Sequence, residues 1–205
     1  MSSGDRPLLS FDLDGVLARP PFGRNVTIKC DLSVEPADPR TAPEARAPLS
    51  AVDRLLAATY YRLRYSLRPP MPGAADAVAV AAQRYRVIVL TARNWRGREP
   101  TLVWLERHGI SPHLEDVVLN DSGLSSAKFK RWVAEQRGIV RHVDDDAATA
   151  ALLARGGVEV DLIDWPGNRG LDYPPGVTRR LDSRALIAAL RSGDSGSATP
   201  PAGHQ

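Results

Sequence analysis

A single cysteine, Cys30, stands in a chain of 205 residues. An internal disulfide is excluded, and a reducing compartment is the natural expectation. Lysine is almost as scarce, occurring only at Lys29, Lys128 and Lys130, so a site that needs a lysine has few candidates. No apolar run approaches the roughly 18 residues of a membrane span, and the start, "MSSGDRP", has no basic-then-apolar secretion pattern. A soluble, cytoplasmic protein without a membrane partner is expected. The Asn25-Val26-Thr27 sequon therefore carries no weight. Nearly all the positive charge is arginine, with a net charge of +3 and a pI of about 9.3. Such a surface is either simply solvated or suited to an anionic partner.

The chain holds short apolar segments alternating with helical patterns. "LLSFDL" (8–13), "VIVLT" (87–91), "DVVLND" (116–121), "GIVRHVD" (138–144) and "VEVDLID" (158–164) read as strands. Helical spacing runs over 74–84, 101–108, 126–137 and 147–155. This alternation predicts an α/β fold: a Rossmann-like parallel sheet with helices on both faces, whose ligand crevice lies at the carboxyl ends of the strands.

One stretch breaks the alternation. Residues 16–70 begin as a proline-rich loop, and then Val52, Leu55, Leu56, Thr59, Tyr60, Leu63 and Leu67 fall on one helical face. Residues 61–68 also alternate with period 2, so a strand competes there; the helix is favoured because its pattern is longer and stops at Pro69-Pro70. The expected organisation is a core from 1–15 and 71–191, a small cap inserted at 16–70, and a disordered tail over 192–205. The insertion holds nine basic residues against five acidic ones, and no acid between Arg54 and Arg68.

The first strand ends in Asp12-Leu13-Asp14-Gly15. Two carboxylates one residue apart at a strand tip need positive compensation, and Mg²⁺, with its preference for hard oxygen ligands, supplies it. "HVDDDAATA" (142–150) places a second acidic cluster at another strand end, although Asp144 to Asp146 also suit a helix N-cap. Thr91 closes a third strand, where its hydroxyl and the following N–H groups can hold phosphate oxygens. Lys128 opens a helical segment and can neutralise phosphate; Lys130 competes with it from a different direction around the helix.

The order of these features, acid pair, threonine, lysine, acid cluster, resembles that of the haloacid dehalogenase-like superfamily of phosphohydrolases. Asp12-Leu13-Asp14-Gly15-Val16 matches the family's first motif, Val89-Leu90-Thr91-Ala92 its second, Lys128 its third and Asp144-Asp145 its fourth. The likeness covers roughly residues 8–165. It implies that Asp12 is the nucleophile and Asp14 the general acid and base. It implies that Asp12, the Asp14 carbonyl and Asp145 hold Mg²⁺, with Asp144 as outer partner, and that Thr91, Ala92 and Lys128 bind the phosphoryl oxygens. The motif-four frame, Asp144-Asp145 or Asp145-Asp146, stays open. The presence of Asp14 argues for a phosphatase over a dehalogenase, because halide needs no proton on leaving.

The short cap, the Thr-Ala-Arg second motif and the paired acids are most similar to the 5′(3′)-deoxyribonucleotidase-like branch, which acts on nucleoside monophosphates. The phosphatase half of polynucleotide kinase–phosphatases and the sugar phosphatases are alternatives. A small phosphorylated substrate is expected; nucleic acid is possible but not favoured, since no nucleic-acid-binding motif is evident. Arg93, Arg96 and Arg98 follow Thr91 and can line the crevice, and Tyr60, Tyr61, Tyr65, Phe22 and Trp95 can stack on a base or pack in the cap. The reading from another class is a phosphate-binding module with no turnover, which would have no need of Asp14.

Overall fold

The computed structural model describes residues 6–20, 32–36, 59–60 and 65–193. Six strands form one sheet: β1 (Leu8–Phe11), β2 (Arg86–Thr91), β3 (Asp116–Leu119), β4 (Ile139–Asp144), β5 (Glu159–Ile163) and β6 (Val177–Arg180). Their order is β3-β2-β1-β4-β5-β6, and every neighbouring pair is parallel. The helices are α1 (Ala74–Ala81), α2 (Arg98–Arg107), α3 (Ser126–Arg137), α4 (Ala147–Ala154) and α5 (Ser183–Ser192). The expected α/β class, with a parallel sheet covered on both faces, is what forms.

Side chains alternate across the strands and so serve two cores. Leu9, Phe11, Val87, Val89 and Val143 pack with Val78 of α1, Trp104 and Leu105 of α2, and Leu186 and Leu190 of α5. On the opposite face Leu8, Ile88, Leu90, Val160 and Leu162 meet Phe129 and Val133 of α3 and Leu153 of α4. The chain leaves β1 toward β2 on one side and returns after β3 to β4 on the other. The crevice between β1 and β4 is therefore the switch point of the sheet, where ligands bind in such folds. Both acid clusters lie there.

Neither β6 nor α5 is evident in the strand–helix reading. β6 is a short edge strand rich in arginine, held by an Arg180–Asp161 ion pair at 2.6 Å; edge strands carry charge in place of apolar alternation. The expected strand 8–13 stops at Phe11, so Asp12 and Leu13 already belong to the turn.

Most of the insertion over 16–70 lies outside the described residues, as does the tail beyond 193. Its base is described. Ala18 bridges to Pro70, Met71 N–H donates to the Leu17 carbonyl at 2.7 Å, and Arg19 N–H to that of Pro69 at 2.9 Å. Residues 59–60 and 65–66 are helical, which disfavours the competing strand at its middle. No helix among the described residues is long and apolar enough to cross a membrane.

Candidate active site

Register brings the acids together. Phe11 of β1 pairs with Val143 of β4, and Asp12 N–H donates to the Val143 carbonyl at 2.8 Å. Asp12 thus sits beside Asp144. Carboxylate oxygens of Asp12, Asp144 and Asp145 all lie within 4.8 Å of one another, and all three residues are buried. Gly15 makes this possible. Its φ is +99°, and a Cβ there would lie 2.0 Å from Asp145 Oδ2; any other residue would drive Asp145 away.

The lysine that lies at the cluster is Lys130, not Lys128, the one expected to bind phosphate. Lys130 Nζ is 2.9 Å from Asp12 Oδ1 and 2.8 Å from Asp144 Oδ2, with the lysine side chain 2% exposed. Lys128 is half-buried elsewhere on α3. The reason is helical phase. Ala127, Lys130 and Ala134 are buried at i, i+3 and i+7, the stripe that faces the sheet, and Lys128 falls off it. In the sequence the stripe marks Lys130 as the buried lysine, but not what it meets.

Asp144 is saturated. Oδ1 accepts from the Asp145 and Asp146 N–H groups at 2.8 and 3.0 Å, and Oδ2 from Lys130 and His142 Nε2, each at 2.8 Å. Because Asp144 can only accept, neutral His142 carries its proton on Nε2, and Nδ1 accepts from the Ser10 hydroxyl at 2.7 Å. Burial, reinforced by the Lys130 charge, holds the His142 pKa below its ordinary value despite Asp144. For Asp144 burial acts upward, but Lys130 and His142 outweigh it and keep the carboxyl ionised. Ser10 and His142 had no counterpart in the sequence reading. Only the pairing of β1 with β4 makes them neighbours.

Asp146 behaves as a helix cap. It accepts from Ala148 N–H at 3.2 Å and from the Thr149 hydroxyl at 2.7 Å, at the start of α4. Both its oxygens are thus turned to the helix, which favours the Asp144-Asp145 frame. The loop after β5 supports Asp145 from below: buried Asn168 donates to the Asp145 and Ile163 carbonyls at 3.1 and 2.8 Å.

Asp14 points another way. Its oxygens accept from Arg93 Nε at 2.8 Å and Nη2 at 2.6 Å, and it pairs with Arg68 as well. Burial acts to raise its pKa, but the Arg93 hydrogen bonds and the two guanidinium charges prevail and hold it below the ordinary carboxylate value. Thr91 ends β2, fully buried, and its Oγ1 accepts from Arg93 N–H at 3.3 Å; Ala92 is exposed. Of the other expected arginines, Arg98 reaches the Val117 carbonyl and Arg96 lies over Trp95. Tyr65 is buried under Arg93, whereas Tyr60 and Trp95 are exposed. Tyr61 and Phe22 lie outside the described residues.

The donor set fits a hard divalent cation. It is all oxygen, and its charge is poorly balanced: burial, with the Asp144 and Asp14 charges, pushes Asp12 up to about 7 despite Lys130. With all four lone-pair positions of Asp144 occupied, Asp12 and Asp145 are the better direct ligands. Ligation needs Asp12 ionised, and protonation below about pH 7 competes with the metal. Mg²⁺ affinity should therefore fall by about tenfold per pH unit on the acid side of that value. Calorimetric titration at a slightly acid and a slightly alkaline pH checks this, and equal affinities would contradict it.

No protein-family model matches the chain, and no curated protein matches it in sequence. Solved structures do share its fold. A haloacid dehalogenase-like family hydrolase from Streptococcus pneumoniae has a TM-score of 0.56 at 15% identity, covering 93% of this chain and 100% of that one. CbbY from Rhodobacter sphaeroides, solved with phosphate, has 0.56 at 16%, covering 90% and 96%. A subfamily IA hydrolase of the superfamily from Geobacter sulfurreducens has 0.52 at 15%, covering 90% and 96%. The chain has the fold of haloacid dehalogenase-superfamily hydrolases.

Proposed function

We propose that the protein is a Mg²⁺-dependent phosphatase that acts on a small phosphomonoester through an aspartyl-phosphate. The observation that carries this reading is the buried Asp12–Asp144–Asp145 cluster bridged by Lys130 at the switch point of the sheet.

In this reading Asp14 leaves its arginine partners when substrate binds and takes up a proton from solvent; Asp12 attacks phosphorus, and the bond to the leaving oxygen breaks as Asp14 gives that oxygen the proton. Water then attacks the aspartyl-phosphate, Asp14 takes its proton, and inorganic phosphate leaves with Asp12 regenerated. Lys130, the Thr91 hydroxyl and the Ala92 N–H hold phosphoryl oxygens, with Lys130 in the role first expected of Lys128. Asp12, Asp145 and the Asp14 carbonyl hold the cation, with Asp144 orienting Lys130 behind them. The bound cation supplies neutralisation of the charge that builds on the transferred group. His142 keeps Asp144 in place and moves no proton.

Nucleoside monophosphates are the first substrates to try, because the insertion is basic and the exposed rings of Tyr60 and Trp95 suit stacking on a base. The test is phosphate release from nucleoside monophosphates, sugar phosphates, p-nitrophenyl phosphate and phosphorylated oligonucleotides, with Mg²⁺ and with EDTA. Release that EDTA abolishes is expected. Binding without release from any ester would favour the phosphate-binding module instead.

A further inference from the structure

Arg93 and Arg68 are built as a seat for an anion, and Asp14 is its present occupant. Arg93 offers Nε and Nη2 as a fork to both Asp14 oxygens, the geometry guanidinium uses for carboxylate and phosphate alike. The fork is rigid. Arg93 Nη1 donates to Thr101 Oγ1 at 3.0 Å, and its guanidinium carbon lies 3.8 Å from the Tyr65 ring centre. Tyr65 fits there because residue 97 is glycine; a Cβ would come within 2.6 Å of its ring. Arg68 is held at its backbone, where Trp104 Nε1 donates to its carbonyl at 2.6 Å, and its guanidinium carbon lies over the same Tyr65 ring, 5.8 Å from its centre. The side chains of Arg93 and Arg68 are 2% and 10% exposed, that of Asp14 29%. The carboxylate, on a tight turn at the mouth, is the exchangeable member; the guanidiniums are the fixed ones.

We infer that this arginine pair takes a second anionic group of the substrate, displacing Asp14 toward the leaving oxygen, so that the preferred substrate is a phosphomonoester bearing another phosphate or carboxylate. The inference rests on the phosphatase reading for its catalytic half. A substrate with one anionic group leaves Asp14 in the fork, away from the leaving oxygen. A substrate with two exchanges one anion for another in the fork and frees the acid that the reaction needs.

The test compares matched pairs: adenosine 3′,5′-bisphosphate with adenosine 5′-monophosphate, and fructose 1,6-bisphosphate with fructose 6-phosphate. For wild type, kcat/KM should favour the bisphosphate member by about tenfold or more, the worth of one or two charge-assisted hydrogen bonds. In Arg68→Gln the ratio should fall toward one. Arg68→Lys, which keeps charge but not the fork, should fall between, and it serves if the glutamine variant melts early. A ratio near one in wild type overturns the inference. So does an Arg68→Gln variant that slows both members equally, since Arg68 would then only position Asp14. If no ester is turned over at all, the phosphatase reading fails, and calorimetric binding of the same pairs to the Asp12→Asn protein still decides: tighter binding of the bisphosphate member supports the seat, and equal binding refutes it.

Discussion

Asp12→Asn should lose phosphate release by about three orders of magnitude or more, the usual consequence of removing a nucleophile. The fold should survive. Asn has the size of Asp, and the replacement removes one of three crowded charges in a cluster where burial already favours neutral Asp12. Lys130 keeps Asp144 as its partner. In EDTA the variant should therefore melt no lower than wild type. Phosphate release and thermal melting on the same preparation check both halves. Turnover near the wild-type rate would remove Asp12 as nucleophile and with it the covalent mechanism.

The second large effect separates two lysines that differ by two residues. Lys130→Ala leaves Asp12 and Asp144 buried without their shared cation, and breaking a buried pair in this way costs about 3–5 kcal/mol. Activity should fall by about a hundredfold or more, since Lys130 is also the proposed phosphoryl contact. Lys128→Ala, on a half-buried side chain away from the acids, should change stability by no more than about 0.5 kcal/mol and leave turnover close to wild type. Lys130→Met, which fills the space without the charge, keeps the comparison readable if the alanine variant does not fold. Chemical denaturation and kcat at saturating Mg²⁺ supply the two readouts. A larger loss from Lys128→Ala would reverse the assignment.

Much of the architecture was legible because it depends on local pattern. Four consecutive apolar residues before Thr91 mark a strand buried on both faces, and the spacing of α3 and α4 marks helices that cover it. Gly15 was legible too, as the residue that closes the acid motif. β6 was not, since an edge strand of threonine and arginine has no apolar alternation to read. Nor was the environment of Asp14. Arg68 and Arg93 are 25 positions apart in the chain, and only the folded insertion base and the start of the loop after β2 bring both to one carboxylate.

The sequence by itself determined the class of fold, the positions of both acid clusters at strand ends and the need for positive charge beside them. These follow from periodicity and from the chemistry of like charges placed close together. Tertiary structure alone decided which lysine meets the acids, which aspartate caps α4 and which faces Gly15, and that His142 and Ser10 stand behind Asp144. Those choices turn on the rotation of α3 about its axis and on the pairing of β1 with β4. A shift of two residues along a helix moves a side chain about 200° around it, a difference invisible in a motif and decisive in a site.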